Sequence, residues 1–155
     1  MKTRLSIVIL LTGLFAATAH AQDRLHGQAL QHAVQERTFV FYARTALPLQ
    51  GRMINLTDLM YSLKVMPDSL YADLPYFGKA YAAPANLSGG GIHIQSATYR
   101  YQLSHKKSGW HLVLFPTGNT DVYRMDLDIS TEGYASLYII PNQREAISYS
   151  GIISK

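Results

Sequence analysis

From Tyr99 to Ile152 apolar and polar residues alternate with a period of two through successive turn signals, and this pattern constrains the fold more than any other feature of the chain. Tyr99, Tyr101, Leu103 and His105 fall on one face of a first long strand, with Thr98, Arg100, Gln102 and Ser104 on the other. A loop at residues 106–109 pairs His105 with Trp110, Leu103 with Leu112 and Tyr101 with Leu114, all on that first face. A second loop, residues 117–120, is expected to set Leu114 opposite Tyr123, Leu112 opposite Met125 and Trp110 opposite Leu127. In the turn at residues 130–133, Gly133 suits the left-handed position of a three-residue hairpin. That turn aligns Ile129 with Ala135, Leu127 with Leu137 and Met125 with Ile139. The last turn, around residues 141–144, brings Ile147 to Ile139 and Tyr149 to Leu137. A one-residue slip in any hairpin would set an apolar row against a polar one, so the registers support one another.

The earlier half is patterned differently. Leu25, Ala29, Leu30, Ala33 and Val34 among Gln, His and Arg predict a short amphipathic helix over residues 24–36, opened by Asp23 as N-cap and weakened by Gly27. Residues 38–43 read as a strand buried on both faces, and residues 52–55, 61–65 and 69–74 as shorter strands. The outward face of the meander turns apolar at Tyr138, Ile140 and Ile152, where the helix is expected to lie. The fold class expected is all-β: a mainly antiparallel meander forming an open barrel or two-layer sandwich, with a short N-terminal helix.

Residues 1–21 combine Lys2 and Arg4, an apolar run from Leu5 to Ala17 broken only by Ser6, Thr12 and Gly13, and Ala19-His20-Ala21. This is the pattern of a secretory signal peptide with its cleavage site, and the apolar core is shorter than the roughly 20 residues of a spanning helix. The expected mature chain, residues 22–155, is one exported domain, periplasmic or extracellular, with no membrane span. Removing the leader takes two cations from the net charge of +4, leaving twelve basic against ten acidic residues. No basic run exceeds Lys106-Lys107, so nucleic-acid binding is not expected. The absence of cysteine excludes disulfides, thiolate catalysis and cysteine-based metal sites.

Residues 73–84 place Tyr76, Phe77 and Tyr81 among Pro75, Gly78 and Pro84, punctuation that forbids a regular helix or central strand. Leu74-Pro75-Tyr76-Phe77-Gly78 with Ala80-Tyr81, the glycines at 89–91, Gly109-Trp110, Gly133 before Ala135-Ser136-Leu137, and Ile147-Ser148-Tyr149-Ser150-Gly151 occur in one order along residues 39–153. In these motifs the chain resembles the exported bacterial family catalogued as domain of unknown function 4251. The resemblance implies export and a compact, mainly β domain, and carries no catalytic residue to transfer.

The residues argue against catalysis and metal binding. His26 and His32 are six apart on a helix, about 120° around its axis, and His105 and His111 fall on opposite faces of their strands. There is no Gly-x-Ser-x-Gly elbow, no His-Glu-x-x-His motif, and no Lys-Ser/Thr after the glycines at 89–91. Asp126 and Asp128 read, beside Arg124, as solvated charges. Aromatics remain: the inward tyrosines with Trp110 are expected to line a cup closed by the 73–84 loop. The candidate ligand residues are Tyr76, Phe77, Tyr81, Tyr99, Tyr101 and Trp110, with no cofactor, no metal and no catalytic residue. A non-catalytic module binding a small apolar or aromatic molecule is the first functional expectation. A structural or interaction component contacting an envelope protein is the alternative.

Overall fold

The computed structural model describes residues 24–58, 60–81, 90–118 and 120–155; the expected signal peptide, residues 1–21, lies outside the described residues. One helix, α1 (Gly27–Glu36), is followed by β1 (Phe39–Pro48), β2 (Ile54–Asn55), β3 (Ser62–Val65), β4 (Leu70–Leu74) and β5 (Ile92–Ser96). The meander then runs through β6 (Tyr99–Lys106), β7 (Gly109–Pro116), β8 (Val122–Ser130), β9 (Tyr134–Pro141) and β10 (Ile147–Ser154). All the strands join one antiparallel sheet in the order β5-β4-β3-β1-β10-β9-β8-β7-β6, with β2 also on β1, curled into a nearly closed barrel. The fold is all-β with a short N-terminal helix.

Three of the four expected hairpin registers hold. His105 faces Trp110, Ile129 faces Ala135, and Ile147 faces Ile139. Gly133 has φ 79°, the left-handed value its turn requires, and a Cβ there would run into the Leu25 carbonyl. The β7–β8 pairing differs: Leu114 faces Met125, Leu112 faces Leu127 and Trp110 faces Ile129. That is a shift of two residues, which keeps every side chain on its face. An irregularity between Val122 and Arg124 then turns Val122 into the core and leaves Tyr123 61% exposed, not inward as expected.

The chain enters the barrel by an extended step before the helix. The Leu25 N–H bonds the Ile153 carbonyl at 2.8 Å, so α1 starts at Gly27 rather than at residue 24. Arg37 closes it in the left-handed conformation, φ 56°. Leu30, Ala33 and Val34 are buried in the same cluster as the inward rows of the sheet, whereas Tyr138 remains exposed, so the helix packs its apolar face into the core instead of covering the outer face. The interior is packed with Phe41, Leu63, Leu74, Leu112, Leu127, Leu137 and Tyr149, each fully buried and each contributing about 1.5–3 kcal/mol. Gly151 permits the β1–β10 contact, since a Cβ there would meet the Tyr42 carbonyl and the Phe41 ring.

Candidate functional site

Strand alternation on β4 and β5 builds the site. Leu70, Ala72 and Leu74 with Ile92 and Ile94 are buried, which turns Tyr71, Asp73, His93 and Gln95 outward. The register sets Ser62 opposite Asp73 and Asp73 opposite His93, with Tyr71 beside Gln95. Across that row His93 Nδ1 stands 3.1 Å from Asp73 Oδ1.

Beyond Leu74 the chain leaves the sheet at Pro75 and passes through the aromatic segment. Tyr149, fully buried, donates its hydroxyl to the Pro75 carbonyl at 2.7 Å. The Tyr76 hydroxyl is 2.9 Å from the Glu145 carbonyl and 3.0 Å from that of Lys79. Backbone bonds from Tyr81 N–H to the Gln143 carbonyl and from Glu145 N–H to the Lys79 carbonyl complete the seam. Gly78 is needed there because a Cβ would collide with the Tyr76 hydroxyl.

Arg144, 7% exposed, locks this seam to the rest of the molecule. Its Nε donates to Asp121 Oδ2 at 2.6 Å, and its two terminal nitrogens reach the Gly90 and Gly91 carbonyls at 3.1 Å. The guanidinium plane lies over the Tyr76 ring, 4.6 Å from its centroid. Burial lifts the Tyr76 hydroxyl above the ordinary phenol range despite the nearby Arg144 charge, so it serves as a neutral donor.

Two hollows result. One of about 630 Å³ lies over Ser62, Tyr71, Asp73, His93 and Gln95. The other, about 260 Å³, is walled by Tyr61, Pro75, Tyr76, Gly90 and Gly91. Asp73 and His93 belong to both, so their contact stands where the hollows meet.

The six residues singled out in the sequence fall in three places. Tyr76 lines the smaller hollow, while Phe77 and Tyr81, 43% and 71% exposed, follow it in the stapled segment. Tyr99 and Tyr101 pack with Arg37 at the end of α1. The Arg37 guanidinium lies 4.3 Å over the Tyr101 ring, and the Tyr99 hydroxyl donates to the Met66 carbonyl at 2.6 Å. Trp110 is buried edge-on to His105, with ring centroids 5.8 Å apart. Asp73, His93 and Arg144 were missed. The alternation of β4 was legible, but β5 was not among the expected strands, and no turn rule registers two strands across the long excursion between Leu74 and Ile92.

The row has Asp73 between Ser62 and His93, whereas nucleophilic catalysis needs the imidazole between hydroxyl and carboxylate. Elsewhere on the outer face of the sheet His111 has Nδ1 2.9 Å from Asp128 and Nε2 3.7 Å from Asp126, so both ring nitrogens face carboxylates. Among the described residues no group of three or more His, Cys, Asp or Glu side chains could hold a metal ion, and no helix is long and apolar enough to cross a membrane.

No curated protein matches the chain. A crystal structure of a DUF4251 family protein from Bacteroides eggerthii DSM 20697 superposes with a TM-score of 0.59 at 17% identity, covering 80% of this chain and 83% of that one. At that identity the likeness carries the fold. The DUF4251 domain of unknown function matches residues 21–153, nearly the whole length, and the chain belongs to that family.

Proposed function

We propose that the protein is an exported, non-catalytic binding module that takes a small aromatic molecule with polar substituents into the joined hollows over β4 and β5. The observation that carries this reading is the placement of the Asp73–His93 pair where the two hollows meet, between Tyr71 on one side and Tyr61 and Tyr76 on the other. Aromatic walls with a few convergent polar groups are the usual composition of a small-molecule site, and the larger hollow is within the common size range of about 300–1,000 Å³. The staple at Arg144 supports it further, because a wall held in place before binding loses little freedom when a ligand arrives. The barrel interior, filled with side chains, is not the site in this reading.

A screen of hydroxylated and aminated aromatic fragments by protein-observed NMR tests it. Hits are expected to shift the amides of Tyr71, Asp73 and His93 together, and His93→Phe, which fills the junction, is expected to weaken them at least tenfold. Hits that bind His93→Phe as well as the parent protein would exclude this site. A second reading, docking of an envelope protein, draws on exposed Leu49, Met53, Phe77 and Tyr81, whose segments are joined where Lys79 Nζ meets Gln50 Oε1 at 3.4 Å. Crosslinking through residue 81 in envelope extracts tests that alternative.

A further inference from the structure

We infer a second binding site, for an uncharged polyhydroxylated ligand of the saccharide class, in an open trough on the outer face of β8, β9 and β10. The trough has a volume of about 430 Å³, and nothing in the fold or in the reading above assigns it a use. Its floor follows from register. Asp128, Ser136 and Ser150 are direct neighbours across three strands and point away from the core, and Tyr134, 55% exposed, and Lys106 belong to its lining.

The floor is short because the row is built from serines, which leaves a depression between longer side chains. Neither the Ser136 nor the Ser150 hydroxyl has a hydrogen-bond partner among the described residues. Each is free to donate and accept. Asp128 Oδ1 receives Lys106 Nζ at 2.8 Å and His111 Nδ1 at 2.9 Å, leaving Oδ2 open as an acceptor. Lys106 uses one of its three N–H groups in that pair. Tyr134 offers a ring already fixed by the Arg24 guanidinium 4.1 Å from its centroid.

Charge decides the ligand class. Lys106 and Asp128 neutralise one another and the Arg24 guanidinium is engaged over the Tyr134 ring, so a charged ligand must compete with an existing contact for each charge. A neutral ligand with adjacent hydroxyls can donate to Asp128 Oδ2, accept from Lys106 and exchange bonds with both serines without breaking the pair. Its C–H face can lie on the Tyr134 ring. An open trough of this kind binds weakly, and dissociation constants near the millimolar range are expected.

The test is an NMR titration of the protein with maltose, cellobiose and lactose, alongside glucuronate and glucosamine as charged probes. At least one neutral disaccharide is expected to give saturable shifts at the Ser136, Ser150 and Tyr134 amides, with Asp73 and His93 unmoved. Ser136→Trp, which fills the trough from its floor, and Tyr134→Ala are expected to lower that affinity at least tenfold while thermal unfolding stays near the parent value. The inference is overturned if no neutral disaccharide saturates up to its solubility limit. It is equally overturned if a charged probe binds more tightly, or if Ser136→Trp leaves the shifts intact. Shifts confined to Asp73 and His93 would overturn it and leave the proposed aromatic site standing.

Discussion

Arg144→Met is expected to destabilise the protein by about 3 kcal/mol, the cost of removing one partner from a buried ion pair. The substitution leaves the Asp121 carboxylate and the Gly90 and Gly91 carbonyls without their donor at once. Asp121 keeps some solvent contact, which places the cost at the lower end of the range for buried pairs. Arg144→Lys restores the charge but not the fork that serves Asp121 and two carbonyls together, so it is expected to recover only part of the loss. The effect is local as well as global. With the guanidinium gone from the Tyr76 ring, the seam between residues 79–81 and 143–145 loses its anchor, and the Tyr81 and Glu145 amides are expected to exchange hydrogen much faster. Denaturant unfolding and hydrogen exchange on the two variants measure both parts. Unchanged unfolding midpoints would show that Arg144 is not the lock described above.

Tyr149→Ala is expected to cost about 3–5 kcal/mol, the range for emptying a fully buried aromatic position. Tyr149→Phe separates ring from hydroxyl. It keeps the packing against Leu137 but strands the Pro75 carbonyl, for about 1 kcal/mol. The pH dependence distinguishes the two contributions. Burial raises the Tyr149 hydroxyl well above the ordinary phenol range, with the Arg144 charge opposing and Tyr76 adding to it. A proton held more tightly in the folded than in the unfolded state stabilises fully below the unfolded phenol range. That contribution is lost as pH rises beyond it. Alkaline destabilisation is therefore expected to be shallower in Tyr149→Phe than in the parent. Identical alkaline profiles would mean that this hydroxyl is not sequestered.

The contrast between legible and illegible parts of the molecule follows from how strands are joined. Where a tight turn carried its own residue signature, as at Gly133, the sequence specified pairing to the residue, and Met125 facing Ile139 could be read directly. The loop at residues 117–120 carries Gly118-Asn119, but these turn residues did not fix its length. A shift of two residues there kept the apolar rows of β7 and β8 facing inward apart from Tyr123, so the hydrophobic pattern could not detect it. β3 and β4 pair across the tight turn at residues 66–69, but β1 pairs with the distant β10 and β4 meets β5 only across the long excursion between Leu74 and Ile92, so the order of these strands was not readable.

The candidate site divides in the same way. Tyr76 was visible because Pro75 and Gly78 frame it, and its wall survives as part of the smaller hollow. The polar half was hidden. Asp73 and His93 are twenty positions apart by their numbers and meet only because β4 and β5 pair. Arg144 looked like an ordinary turn residue, yet it is buried at the centre of four hydrogen bonds. Sequence periodicity reports which side of a strand faces solvent. It carries no information on which distant polar groups then become neighbours.

Native mass spectrometry of the protein purified gently from its native source tests the binding role most directly, with His93→Phe prepared in parallel. The account predicts a small-molecule adduct on the parent protein that disappears on denaturation and is absent from the variant. A parent protein of bare polypeptide mass that carries a second protein along with it would contradict the small-molecule role.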